Sequence, residues 1–262
     1  MNKEFHPVIF AGAGPGDPDL ITVKGQRALS EADLIIYAGS LVPEAVLKWA
    51  GAKARILNSA SMHLDQIVEE MAADQKLGKK VVRLHTGDPS LYGAIFEQME
   101  ALDRAKITYV VIPGVTAAFA AAAAMGIEYT LPEMTQTLVL TRMAGRTPVP
   151  ETENLRSLAR HQASMAIYLS ITLIEEVAEV LIEAYGADAM CAVAFRVSQP
   201  EEKIFHAKLS DLVATVKDND INHQALVIVG KALDARKDGI RLAHKSRLYA
   251  KEFEHAYRKG QA

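Results

Sequence analysis

Short β-branched runs alternate with helix-patterned segments through the first half of the chain, and three of the runs end in glycine-bearing turns. The runs are "PVIFAG" (7–12), "ADLIIYAG" (32–39), "KARILN" (53–58), "KKVVRLHTG" (79–87) and "ITYVVIPG" (107–114). Helical patterns fill the gaps at 22–31, 63–78 and 93–105, and "TAAFAAAAAMG" (116–126) follows the last run. Parallel strands need crossover connections, so this rhythm predicts an α/β chain with a parallel sheet covered on both faces. In open α/β sheets, ligands sit outside the carboxyl ends of the strands. The turns at 11–16, 86–89 and 113–116 are therefore expected on one edge, around one site.

After about Thr130 the texture changes. "LPEMTQTLVLTRMAGRTPVPETE" (131–153) carries three prolines and two arginines. Beyond it, "SMAIYLS", "AMCAVAFRVS", "EKIFHAKL" and "HQALVIVG" read as strands, with a long helix at 172–186 among them. Strands this close in sequence predict a mixed sheet in a second α/β domain. The boundary is expected between Leu131 and Gln136, giving domains of 1–132 and 133–262. The charged, aromatic tail at 245–262 reads as a solvated terminal helix.

Composition narrows the functional classes. Twenty-nine basic and 32 acidic residues give a net charge of −3 with no long block of either sign, so neither a nucleic-acid footprint nor an anionic-membrane patch is expected. Any anionic partner must be met by local basic groups. The one cysteine, Cys191, lies in "AMCAVAF", where a buried and inert thiol is expected. The eight histidines include no HxxxH pair, and no cysteine cluster has ligand spacing, so no protein metal site is expected. "MNKEFHP" has no signal-peptide apolar region, and no apolar run approaches the roughly 20 residues that span a bilayer. The alanine-rich run is the nearest to one and reads as a packed helix. A soluble cytoplasmic protein is the expectation.

The first turn, "AGAGPGDPDLIT" (11–22), begins like a dinucleotide fingerprint but lacks the G-x-G-x-x-G spacing. Pro15 removes a backbone N–H where a pyrophosphate needs donors. The second strand ends "IIYAG", with no acidic residue for a ribose, and there is no Walker lysine. Alone, the segment reads better as a strand-to-helix turn with Asp17 or Thr22 as cap. Its company points to a ligand. "HTGDPSLYG" (85–93) offers Gly87 for close approach and Asp88 as an acceptor for a hydroxyl pair or amine; a capping Asp88 is the alternative. "IPGVTAAFAAA" (112–122) adds a third turn at Gly114 and small residues beside a helix start.

Together, "VIFAGAGPGDPDLITVKGQRAL", "RLHTGDPSLYGA" and "VIPGVTAAFAAAAAMGI" resemble the signatures of the tetrapyrrole (corrin and porphyrin) methylase family, over most of the chain and in order. "IIYAGSLVP", "SASMHLDQIVE" and "LTRMAGRTPVPETENLRSLARH" resemble its branch that methylates C11 of the precorrin ring in cobalamin synthesis. The resemblance implies two α/β domains with the active-site trough between them, a homodimer, and S-adenosyl-L-methionine as methyl donor, leaving S-adenosyl-L-homocysteine. It implies donor contacts at Pro15, Thr86, Gly87, Asp88, Leu91, Thr116 and Ala117, and at Leu169, Val197 and Ala225 in the second half. The family member that methylates uroporphyrinogen III carries "VYD" where this chain has Tyr37-Ala38, and Ala38 cannot act as a base. A methylase acting elsewhere on the ring, and a noncatalytic nucleotide- or tetrapyrrole-binding module, are the alternatives.

An anionic tetrapyrrole substrate calls for arginines, whose planar fork fits carboxylates. Arg142 and Arg146 are the expected clamps, with Met62, His63, Tyr92 and Tyr129 as further substrate contacts. Tyr92, Tyr129, His63 and His85 are candidate proton acceptors, and none is singled out as catalytic.

Overall fold

The computed structural model describes residues 5–235, 246 and 250–259. They group into two compact units, residues 1–124 with 196–203, and residues 125–195 with 204–262.

The first unit holds an all-parallel sheet of β1 (Val8–Gly12), β2 (Leu34–Tyr37), β3 (Arg55–Asn58), β4 (Val81–His85) and β5 (Tyr109–Ile112), in the order β3-β2-β4-β1-β5. Its helices are α1 (Val23–Glu31), α2 (Leu64–Lys76), α3 (Ile95–Arg104) and α4 (Ala117–Met125). Side chains alternate between the faces of each strand. Val8, Phe10, Leu34, Ile36 and Val81 thus join one buried cluster with Met71 and Leu102, while Ala11, Ile35, Tyr37, Val82 and Leu84 join another with Leu29. Each large apolar side chain so buried stabilises the fold by about 1.5–3 kcal/mol. Gly12 pairs with His85, and Ala11 with Ile112. Because β4, β1 and β5 are neighbours in this register, the three glycine turns leave the sheet side by side, as their sequence positions predict.

The second unit holds a mixed sheet, β6 (Leu138–Arg142), β7 (Ser164–Tyr168), β8 (Met190–Phe195), β9 (Lys203–Lys208) and β10 (Ala225–Val229), ordered β6-β7-β10-β8-β9. β7 runs parallel to β6 and antiparallel to β10, and β8 runs antiparallel to β10. Helices α5 (Leu155–Ala159), α6 (Ile174–Tyr185) and α7 (Leu212–Asp218) accompany it. Strand β6 was hidden in the segment rich in proline and arginine; Pro148 and Pro150 fall after the strand, where they break no ladder. Cys191 is buried on β8, donating to the Ala207 carbonyl at 3.4 Å, and burial, with Asp211 adding, pushes its thiol up to about 12. It is inert, as its flanks suggest.

No helix among the described residues is long and apolar enough to cross a membrane. Among the described residues, no group of histidine, cysteine and carboxylate side chains could hold a metal ion. The expected terminal helix is absent from residues 250–259, which form turns closed by a bridge between His255 and Arg258; the Arg258 guanidinium donates to the carbonyls of Ala250 and Phe253 instead. Residues 245 and 247–249, and 260–262, lie outside the described residues, as do residues 1–4.

Candidate functional site

The three turns are joined through their backbones. Gly14 and Gly87 exchange two hydrogen bonds, of 3.2 and 2.8 Å, and the Ala13 N–H donates to the His85 carbonyl at 2.7 Å. A Cβ on Gly114 would stand 2.0 Å from the Gly87 oxygen, and one on Gly12 would stand 2.6 Å from the Gly114 Cα. These glycines are required by the approach of turn to turn, which is why their spacing fits no pyrophosphate motif. Gly87 differs: the nearest atom to a Cβ there is 3.7 Å away, at Thr116. The packing leaves room for a Cβ at Gly87, in the crease between the second and third turns.

Asp88 ties those two turns together. Its Oδ2 accepts from the Gly114 N–H at 2.9 Å, while Oδ1 accepts from the Ser90 N–H at 2.9 Å and from the Ser90 hydroxyl. Burial raises the carboxyl pKa, but these hydrogen bonds outweigh it and hold the group below the ordinary aspartate value. With about four lone-pair positions on a carboxylate and three of them engaged, Asp88 is committed chiefly to loop geometry. The D-P-S sequence carried that signal, since aspartate commonly bonds the backbone two residues on. Leu91 follows, its N–H on the Asp88 carbonyl at 3.2 Å. The Thr116 carbonyl accepts from Phe119 and Ala120 N–H groups and starts α4, whose first residue is Ala117.

Both cap readings of the first turn hold. The Asp17 side chain accepts from the Asp19 N–H and caps a short 3₁₀ turn at Pro18–Leu20; that of Thr22 accepts from the Gly25 N–H and caps α1. Pro15 is bonded to Gln199 and Asp17 to Ser198, beside Val197 and within the same unit. No local sequence pattern marks Ser198 or Gln199 as partners of the first turn.

In the second unit, strand direction brings another group to one sheet edge. The ends of β6, β7 and β8 and the start of β10 coincide there, with Arg142 opposite Tyr168 and Ala225 opposite Phe195. Leu169, next after β7, is 63 % exposed, with φ of 53°. Gln224, just before Ala225, has φ of 47°. Left-handed backbone in residues bearing a side chain costs on the order of 1–3 kcal/mol and gathers at ligand sites. Arg142 donates to the carbonyls of Met143, Thr147 and Pro148 at 3.3, 3.1 and 2.7 Å, stapling its own loop. Arg146 rides on that loop, exposed, and its guanidinium meets no partner among the described residues.

The other expected residues divide. Met62 packs against the first core, and His63 is exposed at the start of α2, its N–H on Gln66 Oε1 at 3.2 Å. Both follow β3, three strands or about 14 Å from β1 along the same edge. Tyr92 is exposed just after the second turn. Tyr129 is buried; burial, with Tyr168 adding, pushes its hydroxyl well above the ordinary value, so the phenol stays protonated. His85 lies in the core against Phe10, with ring centroids 6.0 Å apart, and its Nε2 has no hydrogen-bond partner among the described residues. Burial, with the Arg83 cation adding, pushes it down to about 3. Its ring faces the interior while its carbonyl serves the first turn.

Residues 7–213 match the family model for Tetrapyrrole (Corrin/Porphyrin) Methylases. A cobalt-precorrin-4 C(11)-methyltransferase of Methanocaldococcus jannaschii is 49 % identical over 253 residues, 96 % of each chain. Among solved structures, a cobalamin biosynthetic enzyme, cobalt precorrin-4 methyltransferase, aligns with a TM-score of 0.84 at 46 % identity, over 87 % of this chain and 95 % of that one. A uroporphyrin-III C-methyl transferase from Thermus thermophilus, complexed with S-adenyl homocysteine, aligns with a TM-score of 0.70 at 25 % identity, over 87 % and 93 %.

Proposed function

The chain belongs to the tetrapyrrole (corrin/porphyrin) methylases, and on that premise we propose that it methylates C11 of precorrin-4, as the cobalt complex or metal-free, giving the corresponding precorrin-5. The observation that carries this reading is 49 % identity sustained over 96 % of both chains, which takes in both units. The methyl donor is S-adenosyl-L-methionine, whose sulfonium supplies a methyl group with a good leaving group already attached.

The residues present fit such a donor. It has no phosphate, and the first turn presents Pro15 where a phosphate would need an N–H. Room at Gly87 suits a ligand lying against backbone. On this reading the donor contacts are Thr86, Gly87, Asp88, Leu91, Thr116 and Ala117, with Pro15 and Val197, all in the first unit; Leu169 and Ala225 are the contacts that the family resemblance implies in the second. No strong base stands among them. The chain's contribution is then alignment: backbone turns fixed before binding, holding the reacting partners in near-attack geometry with water excluded.

Arg146 binds a substrate carboxylate, and Arg142 holds the loop that presents it. Arg146→Ala is expected to raise the macrocycle KM by roughly 10- to 100-fold, the worth of one charge-assisted hydrogen bond, with kcat nearly unchanged. Arg142→Ala, which releases three carbonyls of the 143–148 loop, is expected to lower kcat as well. Steady-state kinetics on both variants check the assignment; an equal fall in kcat for Arg146→Ala would make it an alignment residue.

A second copy of the chain fits the exposed apolar surface of the first unit, supporting a homodimer. Helix α4 carries no polar side chain, its Phe119 is 54 % exposed, and edge strand β5 exposes Val110 and Val111. The function is tested first by calorimetry with S-adenosylhomocysteine: stoichiometric binding supports it, and no binding by the folded protein sinks it.

A further inference from the structure

We propose that Ser198 and Gln199, on the connection between β8 and β9, are positioning residues that set the first glycine turn and thereby the affinity for the methyl donor. The inference rests on the proposal that this turn forms one wall of the donor site.

Residues 196–203 belong to the first unit although they follow a strand of the second sheet. Three consecutive residues of the turn are held by them. The Gln199 side-chain amide donates to the Pro15 carbonyl at 3.5 Å, at the limit for a hydrogen bond. The Gln199 Cγ lies 2.3 Å from where a Cβ on Gly16 would stand, so it occupies the place of that missing side chain. The Asp17 N–H donates to Ser198 Oγ at 3.0 Å. Pro15 has no N–H, so its carbonyl is the backbone group by which it can be tied. The Asp17 carboxylate is turned to the Asp19 N–H at 2.8 Å, which leaves its own N–H to be met from elsewhere.

Ser198 is aimed by an unfavourable backbone. It has φ of 64°, and Arg196 has φ of 43°. A residue with a Cβ enters that region only where its surroundings hold it. Here they do. The Ser198 N–H donates to Glu202 Oε2 at 2.6 Å, the Gln199 N–H to the Arg196 carbonyl at 3.0 Å, and Arg196 pairs with Glu201 at 3.6 Å. A connection serving only to join two strands has no need of such a conformation. One that must deliver a hydroxyl to Asp17 does.

The test compares wild type, Ser198→Ala, Ser198→Gly and Gln199→Ala by calorimetry with S-adenosylhomocysteine, by thermal unfolding and by donor and macrocycle kinetics. Ser198→Ala and Ser198→Gly are both expected to weaken binding roughly 10-fold and to raise the donor KM in proportion, with macrocycle KM unmoved, the effect of losing one hydrogen bond and loosening the turn it held. Ser198→Gly removes the backbone strain along with the hydroxyl, so its Tm stays at or above that of wild type. Gln199→Ala is expected to weaken binding several-fold, in proportion to its longer contact. Wild-type affinity in Ser198→Gly would reduce Ser198 to a scaffold residue and overturn the inference. So would unchanged affinity in all three variants beside a wild type that binds. Failure of the folded wild type to bind would overturn the donor reading itself, and this inference with it.

Discussion

Gly114→Ala is expected to destabilise the protein by about 3 kcal/mol and to cost at least ~100-fold in donor affinity, as overpacking a rigid contact displaces the backbone around it. The new methyl would meet the Gly87 carbonyl at 2.0 Å and the Gly12 Cα at 2.9 Å, both backbone atoms that cannot rotate aside. Relief requires the third turn to move off the other two, which opens the crease and breaks the bond from Gly114 to Asp88. In a chain of this size each kcal/mol moves Tm by roughly 2–4 °C, so a fall of about 6–12 °C should accompany the loss. Gly87→Ala makes the contrast. Its Cβ meets nothing within 3.7 Å, so the stability cost is only that of left-handed backbone at φ of 57°, about 1–2 kcal/mol. Its methyl stands where the donor is proposed to lie, and affinity should fall more than stability does. Thermal unfolding and calorimetry on the pair separate the two glycines; equal stability losses would show that both serve packing alone.

Asp88→Asn keeps the shape of the side chain and replaces an oxygen acceptor by an N–H donor facing Gly114 or Ser90. The side chain is only partly buried, so a donor left facing the loop N–H groups and the lost charge should together cost about 1 kcal/mol of stability and roughly 10-fold in donor affinity. The bonds to Gly114 and Ser90 are why the fold as well as the donor affinity should respond. The pH dependence follows from the direction of the shift. The folded pKa lies below the ordinary 3.8, so the contribution is fully present above that value and is lost as pH falls through the lower, folded one. Between pH 5 and 8 Asp88 stays ionised and adds no slope. Acid unfolding curves of wild type and Asp88→Asn should converge below about pH 4; a constant gap down to pH 2 would detach Asp88 from the clamp.

The parallel sheet was legible because its strands are dense β-branched runs separated by helix patterns, and the neighbouring turns followed from the rule about carboxyl ends. Strand β6 was not, since two prolines close behind it dominated the local texture. The site was legible in its residues more than in their duties. Arg142 and Arg146 have the same chemistry in sequence, and only the carbonyls around Arg142 distinguish staple from clamp. Gly12 and Gly114 resemble turn glycines until the turns are seen to touch. The bond from Asp17 to Ser198 spans 181 residues, a separation at which no local pattern informs. His85 sits beside the second turn in sequence, yet strand alternation directs its ring into the core.

The most direct measurement is the position of the new carbon. Incubation with cobalt-precorrin-4, and separately with precorrin-4, in the presence of ¹³C-methyl-labelled S-adenosylmethionine, followed by NMR of the product, is predicted to place the label on C11 of at least one of them. Label on any other ring carbon, or none on either macrocycle by protein that binds S-adenosylhomocysteine, would contradict the account.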